Sequence, residues 1–234
     1  MMPGFLARAE SVMRALGPRG ALHLRTSRLS GRKFHELAER LSGLQATTGC
    51  WLIVNDRVDV AASTGARGIQ LASHSLRVQE ARIVAPSIPV GTSIHSVEEA
   101  REAEAEGASW CVAGTVFDTP SHEGRRPARV EFIELVAAAV RIPVIAIGGV
   151  TPGDVGALID AGAHGVATIR GAAWERTATM HEANAMMETR LEVHPASDSV
   201  EPVTRYISAY DAHGGLGRDD HSDGERSATR GGPE

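Results

Sequence analysis

The sequence predicts an α/β fold, a barrel of parallel strands each followed by a helix, and three observations carry that prediction. Short β-rich apolar runs alternate with segments of helical length along most of the chain, the order that builds a parallel sheet. Apolar residues make up 42% of the chain but aromatic ones only 4%, so Val, Ile, Leu and Ala must fill the core, as they do in buried parallel strands. The length of 234 residues suits one large barrel domain.

The elements follow in order. Residues 5–16 read as a helix, with no strand before them. β-rich runs then fall at 21–25, 51–55, 68–71, 89–94, 110–117, 143–147 and 165–169, and helical patterns at 31–41, 97–106, 130–140 and 151–161. Ser96 caps an acidic first turn containing Glu98 and Glu99, and Gly107 stops that helix. Thr151, Pro152 and Asp154 start another, which Gly162 ends. Met180, Ala183, Met187 and Leu191 are spaced as one helical face, and 203–210 reads as a closing helix. From 213 to 234 the chain is rich in Gly, Asp, Arg and Ser, with Leu216 its one large apolar residue. The division is therefore a barrel domain over 1–212 and a disordered tail over 213–234. A full barrel needs eight strands, and the missing one leaves an exposed edge that makes a homodimer the expectation.

Charge and cysteine usage exclude several classes. A formal net charge of −5 gives no general attraction to nucleic acid or to an anionic membrane. Neither Cys50 nor Cys111 has a CxxC partner, and both sit in apolar runs as buried thiols. No long apolar stretch or leader pattern is present, so a cytoplasmic protein is expected.

The candidate site residues stand where strands end, the side of a barrel that carries chemistry. Gly148 and Gly149 close a strand just before a capped helix, where backbone N–H groups can meet an anion. Arg170 and Gly171 repeat the arrangement at the next strand end and add a side chain suited to bidentate phosphate contact. Arg25, Asn55 and Asp56 are polar residues directly after apolar runs, placed to bind and orient a substrate; a brace among Arg25, Asp56 and Arg57 is the structural alternative, and Asp59 reads as a helix or solvent residue. Of the strand-end histidines His23, His74, His95 and His122, we single out His95 and His122 as proton-transfer candidates, since imidazole titrates near neutral pH.

The motifs LHLR (22–25), LIVNDRVDVA (52–61), GARGIQLA (65–72), GTSIHSVEEA (91–100), GTVFDT (114–119), IPVIAIGGVTP (142–152) and GAHGVATIRGA (162–172) occur in one order. Together they resemble the thiamine phosphate synthase and TenI-like thiazole tautomerase superfamily, with this chain a divergent member. The resemblance implies a TIM-type (β/α)8 barrel lacking the usual first strand, a small phosphorylated heterocycle as substrate, and a role in thiamine biosynthesis.

Individual residues then divide the branches. A synthase-like chain would carry Gln-x-Arg-x-Lys where this one has His23, Arg25 and Ser27, a second aspartate where it has Ser75, and a lysine where it has His122. Losing a carboxylate weakens a Mg²⁺ site for diphosphate. The expectation is therefore a thiazole tautomerase-like isomerase acting on a thiazole carboxylate phosphate. In that reading Arg25 holds the carboxylate, and His122 or His95 shuttles the proton because Thr115 replaces the histidine expected after Gly114. No cofactor is expected on it; Mg²⁺ enters only if the alternative, a thiamine phosphate synthase, is correct. A non-enzymatic homologue that binds the phosphorylated ligand is the third possibility.

Overall fold

The computed structural model describes residues 5–26, 29–119 and 127–168. Helix α1 (Phe5–Leu16) buries Ala9, Val12 and Met13 and packs against β1 (Ala21–Leu24) and α2 (Gly31–Thr48). Strand and helix then alternate: β2 (Trp51–Asn55), α3 (Val58–Thr64), β3 (Gly68–Leu71), α4 (Val78–Val84), β4 (Val90–Ile94), α5 (Val97–Ala105), β5 (Trp110–Gly114), α6 (Arg129–Ala139), β6 (Val144–Ile147), a 3-10 turn at Pro152–Asp154, α7 (Val155–Asp160) and β7 (Gly165–Ala167). Both α3 and α4 are seven-residue helices that the sequence patterns do not mark.

All strand pairs are parallel, and the sheet runs β1 to β7 in chain order. This is a TIM-type α/β barrel without its first strand. Among the described residues β1 and β7 are the two edges of the ladder.

Strands β2, β5 and β6 alternate in burial because one face meets the helices and the other faces the lumen, whereas β3 is buried throughout. Leu52, Val54, Ile69, Leu71, Val90, Ile94, Cys111, Ala113, Val144 and Ala146 form the first set; with Leu41, Val60, Ile133 and Leu158 from the helices they make the core. Trp51, Ile53, Trp110, Val112, Ile145 and Ile147 form the second and are only half-buried. Both cysteines are free and buried, as expected. Desolvation raises each thiol pKa to about 11, which leaves both protonated at neutral pH.

Local signals set the helix ends. Ser96 accepts a hydrogen bond from the Glu99 backbone at 3.0 Å, the expected cap of α5. Asp154 receives both the backbone N–H and the hydroxyl of Thr151, so the 3-10 turn begins as the Thr-Pro-x-Asp pattern predicts. The helical patterns at 180–191 and 203–210, the domain limit at 212 and the tail at 213–234 lie outside the described residues.

Candidate active site

Asn55 ends β2, and Asp56 follows it in the left-handed region at φ 57, a conformation that aspartate tolerates better than most residues. The Asp56 backbone N–H donates to Gln70 O at 2.9 Å, anchoring the turn to β3. Its carboxylate is held from two sides: Ala72 N donates to Oδ1 at 2.8 Å, and Asn55 Nδ2 donates to Oδ2 at 2.6 Å. Asn55 Oδ1 lies 3.0 Å from His23 Nε2 on β1. Two adjacent strand ends thus present one connected polar chain of His23, Asn55 and Asp56.

The His23 pKa falls to about 4, chiefly because the surrounding protein desolvates the ring. The Asn55 hydrogen bond opposes that shift, the Arg25 charge adds to it, and the Asp56 charge opposes it. Arg25 is exposed just beyond β1. Arg57, part of the alternative brace, pairs instead with Asp59 at 2.6 Å, on the exposed start of α3.

His95 follows β4. Its Nδ1 donates to Gly114 O at 2.6 Å, and its backbone N–H donates to Glu99 at 2.6 Å, so the ring is tied to the end of β5. A carbonyl only accepts, so the neutral imidazole carries its proton on Nδ1 and keeps Nε2 as the acceptor. Thr115, next to that carbonyl, receives Ala128 N–H on its backbone oxygen at 2.9 Å, while its side chain lies against Gly148.

Gly148 and Gly149 take φ values of 102 and 67, open to glycine at no steric cost. A Cβ on Gly148 would collide with Thr115, and one on Gly149 with Phe117 and the Asp118 carbonyl. Gly148 O also accepts Phe117 N–H at 2.9 Å. The pair therefore seats the loop after β5, a use beyond the backbone approach that the sequence suggests. His122, Arg170 and Gly171 lie outside the described residues.

Gln70 and Trp110 are absent from the residues that the sequence singles out. Gln70 is buried, accepts the Trp110 indole N–H at 2.8 Å and donates to Ser93 Oγ at 3.2 Å. Its one signal is a glutamine inside the apolar run GIQL.

The donor set also tests the Mg²⁺ implied by the synthase branch. Asp56 supplies one carboxylate, already bonded through both oxygens, and Ser75 stands where a second would be. Among the described residues no three His, Cys, Asp or Glu side chains gather as a metal site. These residues do not fit the two-aspartate arrangement.

The family model and the most similar sequences point to one family. The model for thiamine monophosphate synthase matches residues 5–172. A thiamine-phosphate synthase of Chlorobium luteolum is 42% identical over 163 residues, covering 68% of this chain and 77% of the relative. That of Pyrococcus abyssi is 35% identical over 161 residues, covering 68% and 78%. The solved thiamine phosphate pyrophosphorylase from Pyrococcus furiosus superposes with a TM-score of 0.72 at 25% identity, over 89% of this chain and 90% of that one. These names correct the tautomerase and isomerase expectation, which rested on lost synthase residues. Thr115 offers a hydroxyl, a poor base near neutral pH, where that chemistry wanted an imidazole. From the match across residues 5–172 and the identity to its relatives, the chain belongs to the thiamine monophosphate synthase family.

Proposed function

We propose that the chain is a thiamine-phosphate synthase, joining a pyrimidine methyl diphosphate to a thiazole phosphate. The thiazole nitrogen forms a C–N bond to the pyrimidine methylene, the methylene C–O bond breaks, and diphosphate leaves with its electron pair. The observation that carries this reading is the 42% identity to a thiamine-phosphate synthase. It is supported by the His23, Asn55 and Asp56 chain at the strand ends.

Asn55 and Asp56 orient the pyrimidine half, and Arg25 offers charge to a phosphate group. Gly148, Gly149, Arg170 and Gly171 bind the thiazole phosphate, and Thr115, His95 and His122 serve as further substrate-binding groups. Among the described residues no helix is long and apolar enough to cross a membrane. A cytoplasmic homodimer completes the proposal, and light scattering on the purified chain measures the second half of it.

Ser75, in place of a second carboxylate, favours one other reading, a homologue that binds the phosphorylated ligands without turnover. One experiment separates the two: the protein is incubated with both substrates, with and without Mg²⁺, and thiamine phosphate is measured by mass spectrometry. Product formation above the protein-free control supports the synthase. Ligand binding by calorimetry without product supports the second reading, and Arg170→Ala should then weaken the thiazole phosphate more than its dephosphorylated form.

A further inference from the structure

The chain His23, Asn55 and Asp56 fixes more than position. A carboxylate only accepts hydrogen bonds, so the group Asn55 turns toward Asp56 Oδ2 at 2.6 Å must be its NH₂. The amide oxygen then faces His23 Nε2 at 3.0 Å, and that oxygen also only accepts. His23 must therefore carry its proton on Nε2, which makes Nδ1 the accepting nitrogen of the ring.

We propose that Asp56, acting through Asn55, locks His23 in the Nε2–H tautomer, so that His23 is a specificity-determining residue that selects a ligand bringing an N–H donor. The inference rests on the synthase reading for its ligand, since the pyrimidine half of thiamine carries an exocyclic amine that can serve as that donor. It concerns a residue that departs from the glutamine of the resembled pattern. A glutamine can turn either end of its amide to a ligand, whereas this histidine cannot exchange donor for acceptor without breaking its bond to Asn55. His23 keeps exposed surface, yet desolvation by the protein around its ring lowers the pKa to about 4, so the Nδ1 lone pair is present throughout the neutral range.

Asp56→Asn is the sharp test, because it leaves the side-chain volume nearly unchanged. With the oxygen of the substituted amide accepting from Ala72 N, its NH₂ faces Asn55, whose own amide must turn over and present its NH₂ to His23. The imidazole then has to accept on Nε2 and move its proton to Nδ1. Nitrogen-15 NMR of the full chain reads the tautomer directly: Nε2–H in the wild type, Nδ1–H in Asp56→Asn. An Nδ1–H wild type overturns the lock even if the variant does not fold, and an unchanged tautomer in a folded variant also overturns it.

Calorimetry with the 4-aminopyrimidine methyl diphosphate and its analogue lacking the amine tests the ligand. The wild type should prefer the amine by about threefold to tenfold, the worth of one neutral hydrogen bond, and His23→Leu should abolish that preference. Equal loss for both probes, or no binding of either, overturns the selection. Absence of thiamine phosphate from a protein that keeps the tautomer and the preference sinks the synthase reading alone.

Discussion

The indole of Trp110 occupies the space that a Cβ on Gly91 would need. Gly68 gives way to the same ring, its Cβ position lying 2.9 Å from the indole edge. The register explains the meeting: Asn55 pairs with Gln70, Gln70 with Gly91 and Gly91 with Trp110, one row stepping across four strands. The stagger of a barrel brings the end of β2 and the start of β5 into that row. One large side chain therefore fills the lumen because two neighbours have none.

Gly91→Ala should destabilise the fold by about 1–3 kcal/mol, the usual cost of overpacking, read from urea unfolding. Combining it with Trp110→Val should recover part of that loss. Simple additivity of the two costs would show that the indole is not the obstacle.

Gln45, buried on α2, is a second single-residue clamp. Its Oε1 accepts Leu52 N–H at 2.8 Å and Arg67 N–H at 3.2 Å, and its Nε2 donates to Gly65 O at 3.0 Å. Gln45→Leu keeps the volume but takes the Gln45 partner from Leu52 N–H and Gly65 O, while Arg67 N–H keeps its bond to Leu52 O at 3.1 Å, and should cost about 2–4 kcal/mol at roughly one to three per buried group. Gln45→Glu should cost less than Gln45→Leu if the acceptor matters most, and thermal unfolding of both variants checks the order.

Acid should destabilise the protein partly through His23. Its folded pKa, about 4, lies below the unfolded value of 6.5, so between those pH values the unfolded chain binds the extra proton. Stability therefore falls as pH drops from 6.5 toward 4 and is not lost further below that window on account of this group. The facing charges are Arg25, which disfavours the cation, and Asp56, which favours it. His23→Gln should flatten that part of the stability profile, and an unchanged slope would place the ring in an ordinary solvated setting.

Arg25→Ala should raise the KM for the diphosphate substrate about tenfold to a hundredfold, the range for a lost charge-assisted hydrogen bond. Arg25→Lys should recover only part, because an ammonium lacks the planar fork. Inhibition by inorganic diphosphate should weaken in parallel; an unchanged inhibition constant would assign Arg25 to the other substrate.

Strand positions are legible in the sequence because each apolar run stands between a helix stop and a helix start. Gly107 ends α5 before β5, and Gly162 ends α7 before β7, both with the positive φ that glycine allows. Helices α3 and α4 escape notice since seven residues hold too few turns to show a period. Asn55 and Asp56 stand out as polar groups ending a run, and the structure joins them through one bond. Gln70 and Trp110 do not, because their pairing spans 40 residues and depends on barrel stagger. The reaction is misread for a related reason: replacements at His23, Ser75 and Thr115 are weighed one at a time, while the identity to a synthase extends over 163 residues.

The clamp made by Gln45 acts on the amino-terminal ends of β2 and β3, while Asn55 and Asp56 stand at the opposite ends, roughly 10 Å away at the rise of a strand. The bonds that pin the strand floor and those that hold the Asp56 carboxylate are thereby lodged in separate residues. A substitution at His23 or Ser75 on the rim leaves untouched the bonds that Gln45 makes to the floor.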